Sequence, residues 1–127
     1  MAGCHVLVVE DEPDILLIIR LVLEAAGHTT EAIETLGEAR TRLAAGPPPG
    51  LVILDRRLPD GDGLDLVREV GRHAPPIPVL MLSAVVSAED SAEAIAAGAT
   101  RVMAKPFEID ALEAVVDELC ATGAAAA

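Results

Sequence analysis

The sequence predicts a doubly wound α/β domain, a five-stranded parallel sheet covered by helices on both faces. Two observations predict it. Short aliphatic runs alternate with segments of helical periodicity along the whole chain. Polar residues able to do chemistry also follow the runs immediately, at the strand ends where ligands bind in open parallel sheets. A length of 127 residues leaves room for one domain of ordinary size. The expected division is a domain over residues 1–122 and a short alanine-rich tail over 123–127.

The elements follow in order. Residues 6–9, Val-Leu-Val-Val, are continuously apolar, as a strand buried on both faces must be. Pro13 suits the first turn of a helix. Ile15, Ile19, Val22, Leu23 and Ala26 line one face of that helix, and Gly27 ends it. Residues 28–33 are short and more polar and form a weaker second strand. A helix over residues 35–45 stops at Gly46 and three prolines, 47–49, which read as a connecting loop. Residues 51–54 give the third strand, and Leu64, Val67 and Val70 a short helix after the glycines at 61 and 63. Residues 79–82 make the fourth strand, followed by a helix over 88–97 that Gly98 closes. Residues 100–104 make the fifth strand, and Ile109, Leu112, Val116 and Leu119 the apolar seam of the last helix. Right-handed crossovers between parallel strands distribute these helices over both faces. In the first helix Leu17, Ile18 and Leu21 exceed the expected core face. They are either deep packing or a docking face for a histidine-containing partner or a second copy.

Nine basic against 21 acidic residues give a net charge of −12, a surface that repels phosphate backbones and anionic lipid headgroups. Nucleic-acid and membrane binding are therefore excluded for this domain. With Phe107 the single aromatic residue, aliphatic side chains must fill the core. The longest apolar stretch, from residue 15 to 23, is broken by Arg20 and is too short to span a bilayer. The two cysteines, Cys4 and Cys120, lack metal-type spacing, and no secretory signal precedes them. They read as two small thiols in a reducing, cytoplasmic setting rather than as a disulfide. His5, His28 and His73 are scattered and read as structural.

The residues at the strand ends carry the functional argument. Glu10-Asp11-Glu12 follows the first run, Asp55 the third, Ser83 the fourth and Lys105 the fifth. Each alone is ordinary, since acidic residues favour a helix N-terminus and Ser or Lys is common after a strand. Together they aim carboxylates, a hydroxyl and an ammonium at one rim. Clustered carboxylates raise one another's pKa unless a cation neutralises them. Mg2+ takes oxygen ligands and suits a few carboxylates plus a phosphoryl oxygen. The set describes a phosphoryl-binding pocket with a carboxylate nucleophile.

Four segments, Val9-Glu-Asp-Glu-Pro13, the stretch 54–63, Met81-Leu-Ser-Ala84 and Lys105-Pro-Phe107, resemble the motifs of bacterial response-regulator receiver domains of two-component signalling, the CheY-like superfamily. Spacings of 44, 28 and 22 residues from Asp11 through Asp55 and Ser83 to Lys105 fit that layout, and the resemblance covers about residues 5–120. It implies a flavodoxin-like strand order, 2-1-3-4-5. It also implies that Asp55 accepts a phosphoryl group from a histidine kinase or histidine phosphotransfer protein. Mg2+ or Mn2+ would be held by Glu10, Asp11, Asp55 and the backbone carbonyl of Arg57. Lys105 would pair with one phosphoryl oxygen and Ser83 close onto another, reshaping the face of the fourth helix, fifth strand and fifth helix. The output is a changed surface for a homodimer or a downstream protein target, with no separate substrate turned over. The bond from Lys105 to Pro106 is often cis in this family.

Three positions depart from the pattern. Val102 stands at the switch position, where the family usually carries Tyr or Phe, and a β-branched side chain has little rotamer range. Arg56 and Arg57 follow the acceptor, either solvated against an acidic rim or with Arg57 leaning over the pocket toward Glu10 or the phosphoryl group. Two alternatives use the same residues. A phosphohydrolase of the haloacid dehalogenase type needs a second Asp where Arg57 stands, and a phosphorylation-independent interaction module would keep only the fold.

Overall fold

The computed structural model describes residues 3–73, 76–84 and 87–126, with side chains described through residue 121. Strands β1 (His5–Val9), β2 (Thr29–Ile33), β3 (Leu51–Asp55), β6 (Val79–Ser83) and β7 (Arg101–Ala104) form one parallel sheet in the order β2-β1-β3-β6-β7. That is the predicted order 2-1-3-4-5, counting these five strands alone. Helices α1 (Pro13–Ala25), α2 (Leu36–Ala44), α3 (Gly63–Val70), α4 (Ala88–Ala97) and α5 (Ile109–Ala126) make the crossovers. The central strands β3 and β6 are buried at every position, the reason their sequences are unbroken apolar runs. β2 at the edge is mostly exposed or half-buried, with Ile33 its one buried residue, which accounts for its weak signal.

Alternation along the strands splits the core in two. Val6, Val8, Ile53, Leu80 and Leu82 face Ile19 and Leu23 of α1 and Leu112, Val116 and Leu119 of α5. Leu7, Val9, Val52, Leu54 and Met81 face Leu36 and Ala39 of α2, Leu66 and Val67 of α3 and Ala94 of α4. The sheet is therefore wound on both faces, and the C-terminal ends of β1, β3, β6 and β7 converge on one rim.

Helix starts follow local chemistry. Thr35, Asp62 and Ser87 accept hydrogen bonds from Glu38, Leu64 and Asp90 amides at the heads of α2, α3 and α4. Asp60 adds a long-range cap: its two carboxylate oxygens accept from the Leu36 and Gly37 amides at 2.8 and 2.9 Å. Those bonds hold its carboxyl below the usual carboxylate range. Asp60 is at the tip of an unpredicted hairpin, in which β4 (Arg57–Leu58) pairs antiparallel with β5 (Gly61–Asp62). Two-residue strands carry too little pattern to be read from sequence.

The surplus apolar residues of α1 are not deeply packed. Leu17 and Leu21 are 57% and 59% exposed, with Ile18 between them also open, while Ile19 and Leu23 are buried. The backbone of residues 123–126 continues α5. Among the described residues no helix is long and apolar enough to cross a membrane.

The cysteines correct the expectation of two free thiols. Cys4, just before β1, and Cys120, near the end of α5, are disulfide-bonded with their Cα atoms 5.9 Å apart. A separation of 116 residues hid the pairing, which arises because β1 and α5 pack in the same half of the core.

Candidate functional site

β1 ends at Val9, so Glu10 and Asp11 turn off the strand at the rim before Pro13 starts α1. Glu10 is only 1% exposed. Its Oε2 accepts from the Asp11 amide at 3.1 Å, which keeps the carboxylate folded back over its own turn. Asp55 ends β3 and is 6% exposed, and Ser83, 8% exposed, ends the neighbouring β6. The backbone reaches this arrangement through close approaches. The Arg56 amide donates to Leu82 O at 2.9 Å. Gly63 comes so near that a Cβ there would lie 2.5 Å from the Asp55 carbonyl oxygen, leaving room for no other residue.

Lys105 follows β7, its amide donating to Ser83 O at 2.8 Å, and its peptide bond to Pro106 is cis. The ammonium reaches between two buried carboxylates, 3.0 Å from Asp55 Oδ2 and 2.6 Å from Glu10 Oε1, with Glu12 at 3.6 Å. The contact to Glu10 is an ion pair by distance but lacks hydrogen-bond alignment, so buried Oε1 has no aligned donor. Burial pushes the Glu10 carboxyl up to about 7; the attraction of Lys105 opposes this and the nearby Asp55 charge adds to it. Burial works against the Lys105 ammonium as well, but Glu10 and Asp55 outweigh it and raise its pKa. One lysine is thus holding two carboxylates that would otherwise repel.

Glu10, Asp11 and Asp55 each offer an oxygen within 4.8 Å of the others. A buried carboxylate whose pKa is displaced upward and a hard all-oxygen donor set fit a divalent cation of the Mg2+ class. Among the described residues the remaining Asp55 oxygen, Oδ1, receives only a long 3.4 Å contact from the Arg57 amide. Beside these groups an open cleft of about 720 Å3 is lined by Arg56, Arg57, Leu58, Asp62, Ser83 and Asp90, among others. The structure thus brings together Glu10, Asp11, Asp55, Ser83 and Lys105, as expected.

Arg57 and Arg56 divide the roles foreseen for the pair. Arg57 is exposed, and among the described residues no carboxylate pairs with its guanidinium. Of the two readings of Arg57, the solvated one matches its exposure, and the alternative pairing with Glu10 is not seen, because Lys105 occupies that place. Arg56 is not a solvated counter-charge. Its side chain is 20% exposed and lies 2.6 Å from Glu93, 3.4 Å from Asp62 and 3.8 Å from Asp90. It therefore ties the chain next to Asp55 to α4. Sequence reasoning missed this residue, since its partners lie up to 37 positions away. Val102 pairs with Met81 in the sheet and packs half-buried against the α2–α3–α4 half of the core.

Comparison with known proteins gives this geometry its context. The family model described as response regulator receiver domain matches residues 6–117. KdpE, the KDP operon transcriptional regulatory protein of Escherichia coli, is 41% identical over 110 residues, covering 87% of this chain and 48% of KdpE. PilR, a response regulator protein of Pseudomonas aeruginosa, is 37% identical over 116 residues, covering 91% of this chain and 26% of PilR. The chain thus spans between a quarter and a half of these curated relatives. Among solved structures, the beryllofluoride-activated NtrC4 receiver domain dimer matches with a TM-score of 0.84 at 27% identity, over 94% of this chain and 98% of that one. No match supports the haloacid dehalogenase alternative. A family match across nearly the whole chain, on a sheet whose strand ends gather this set of carboxylates and lysine, leads to one assignment: the chain belongs to the response regulator receiver domain family, a signalling rather than a substrate-turnover fold.

Proposed function

We propose that Asp55 is the phosphoryl acceptor of this receiver domain. A carboxylate oxygen of Asp55 attacks the phosphorus of a phosphohistidine on a histidine kinase or phosphotransfer protein. The phosphorus–nitrogen bond breaks, the freed imidazole nitrogen takes a proton, and an acyl phosphate remains. The observation that carries the reading is the bridge of Lys105 between buried Glu10 and Asp55, at 2.6 and 3.0 Å. An ammonium in that position holds the nucleophile before transfer. It remains beside the transferred group afterwards, where charge stabilisation matters most.

Receiver domains generally depend on Mg2+. Here Glu10, Asp11, Asp55 and the Arg57 carbonyl would hold the ion, which when bound neutralises charge on the transferring phosphoryl oxygens. The Ser83 hydroxyl, at the end of β6 and on the cleft wall, can donate to a phosphoryl oxygen. With Val102 in place of an aromatic ring, the change is transmitted through the backbone after β6 and through α4, which Arg56 tethers to the acceptor strand. The product is an altered α4–β7–α5 face for a second copy or a downstream protein, in the cytoplasm.

Incubation with Mg2+ and a small-molecule phosphodonor, read by intact mass, tests the reading. A single phosphoryl adduct on the wild type, absent from Asp55→Ala, is expected. Continuous phosphate release would mark a phosphohydrolase instead, and no adduct with any donor an interaction module.

A further inference from the structure

At the opposite end of the sheet from Asp55, Cys4, His28 and Cys120 form a second cluster. Their ligand atoms all lie within 4.8 Å of one another. His28 and Cys120 are 7% and 6% exposed. We propose that in the dithiol state these three residues bind a thiophilic divalent cation of the zinc class, and that the Cys4–Cys120 disulfide is the oxidised, closed form of the same site.

The histidine supplies the first argument. The Cys4 backbone N–H donates to His28 Nδ1 at 3.1 Å, and a backbone amide can only donate. Nδ1 must therefore carry a lone pair, so the ring proton is on Nε2, which donates to Asp117 Oδ1 at 2.8 Å. This is the carboxylate–histidine arrangement that orients metal-ligating imidazoles, and binding an ion would exchange the Cys4 N–H bond at Nδ1 for a bond to the metal.

Distance supplies the second. A tetrahedral zinc ion separates two thiolate sulfurs by about 3.8 Å and a sulfur from an imidazole nitrogen by about 3.6 Å, from its usual bond lengths. The three ligand atoms already fall within 4.8 Å of one another, so opening the disulfide leaves them close to those separations. The surroundings are cleared for the Cys4 side chain: a Cβ on Gly50 would stand 2.9 Å from Cys4 Cβ and 3.3 Å from its sulfur. Three protein ligands leave a fourth position for water, as in Cys2His zinc sites.

The two states interconvert by a balanced exchange. A dithiol reductant gives two electrons and two protons to the Cys4–Cys120 bond, yielding two thiols and its own disulfide. Coordination then releases the two thiol protons as the thiolates bind the ion. The cation and the disulfide are mutually exclusive.

Cobalt(II) is the probe. Titration of the whole chain, reduced with a phosphine and freed of oxygen, should give a thiolate-to-cobalt charge-transfer band in the near ultraviolet and tetrahedral visible bands, saturating at one ion per chain. The carboxylate site around Asp55, all oxygen, cannot produce that band. Zinc should displace the cobalt, the disulfide form should give no band, and Cys4→Ser and Cys120→Ser should abolish it. Asp117 is half-exposed, so Asp117→Asn keeps the fold and should weaken binding about 10–100-fold. Absence of the charge-transfer band in the reduced wild type, or equal affinity in Asp117→Asn or Cys4→Ser, overturns the proposal. Phosphoryl uptake at Asp55 is independent of either outcome.

Discussion

Replacing Glu10 with Gln should make the metal-free protein more stable at pH 8 and leave it nearly unchanged at pH 4.5. Glu10 is buried beside Asp55, and its pKa rises from 4.5 to about 7. Between those values the folded chain keeps a proton that the unfolded chain has released. Stability therefore falls as pH rises through the window and is level above it. The displacement corresponds to about 3 kcal/mol at pH 8, and to well under 1 kcal/mol at pH 4.5. Gln cannot ionise and imitates the protonated acid, so Glu10→Gln removes the slope. Urea unfolding with a chelator present, at pH 4.5, 6, 7 and 8, measures the difference. At pH 8 the variant's midpoint should lie higher by about 1–2 M. Saturating Mg2+ should shrink or reverse the gap, because the cation binds the ionised wild-type carboxylate. A difference independent of pH, or a variant less stable than wild type at pH 8 without metal, would refute the reasoning.

Three further outcomes follow from the same geometry. Lys105→Met leaves Glu10 and Asp55 facing each other without their ammonium. It should cost about 3–5 kcal/mol in urea unfolding at pH 8 without metal, and less below pH 7 as Glu10 takes a proton. Gly63→Ala drives a Cβ to 2.5 Å from the Asp55 carbonyl and should destabilise by about 1–3 kcal/mol, with shifted amide resonances at 55 and 56. Arg56→Gln removes the tie to Asp90 and Glu93, worth about 1–2 kcal/mol, so amide hydrogen exchange over residues 88–97 should quicken about tenfold. Unchanged exchange in α4 would mean that the tie does not hold the helix.

The five-stranded sheet was legible because its buried strands are uninterrupted apolar runs, a pattern that leaves few alternatives in a chain this short. The site was legible for a related reason. Each of Glu10, Asp11, Asp55, Ser83 and Lys105 comes directly off a strand end, so sequence order already states spatial neighbourhood. What could not be read depends on partners brought together from distant positions. Arg56 looked like a surface charge until α4 supplied its carboxylates. Cys4 and Cys120 looked unrelated until α5 laid its end beside the start of β1. Asp60 gave no sign of capping a helix 23 residues before it. The exposed row of Leu17, Ile18 and Leu21 was ambiguous because periodicity reports spacing and not how wide a face the sheet will cover.

The Arg56 tie runs in both directions. If charge arriving at Asp55 loosens α4, then by thermodynamic linkage any molecule that binds better to the loosened helix must raise the equilibrium occupancy of the phosphorylated state by the same factor. A target protein gripping Asp90 or Glu93 from outside would draw away the carboxylates that hold Arg56, without approaching the acceptor. The downstream listener would then help decide how many molecules carry the message, with a single arginine as the go-between.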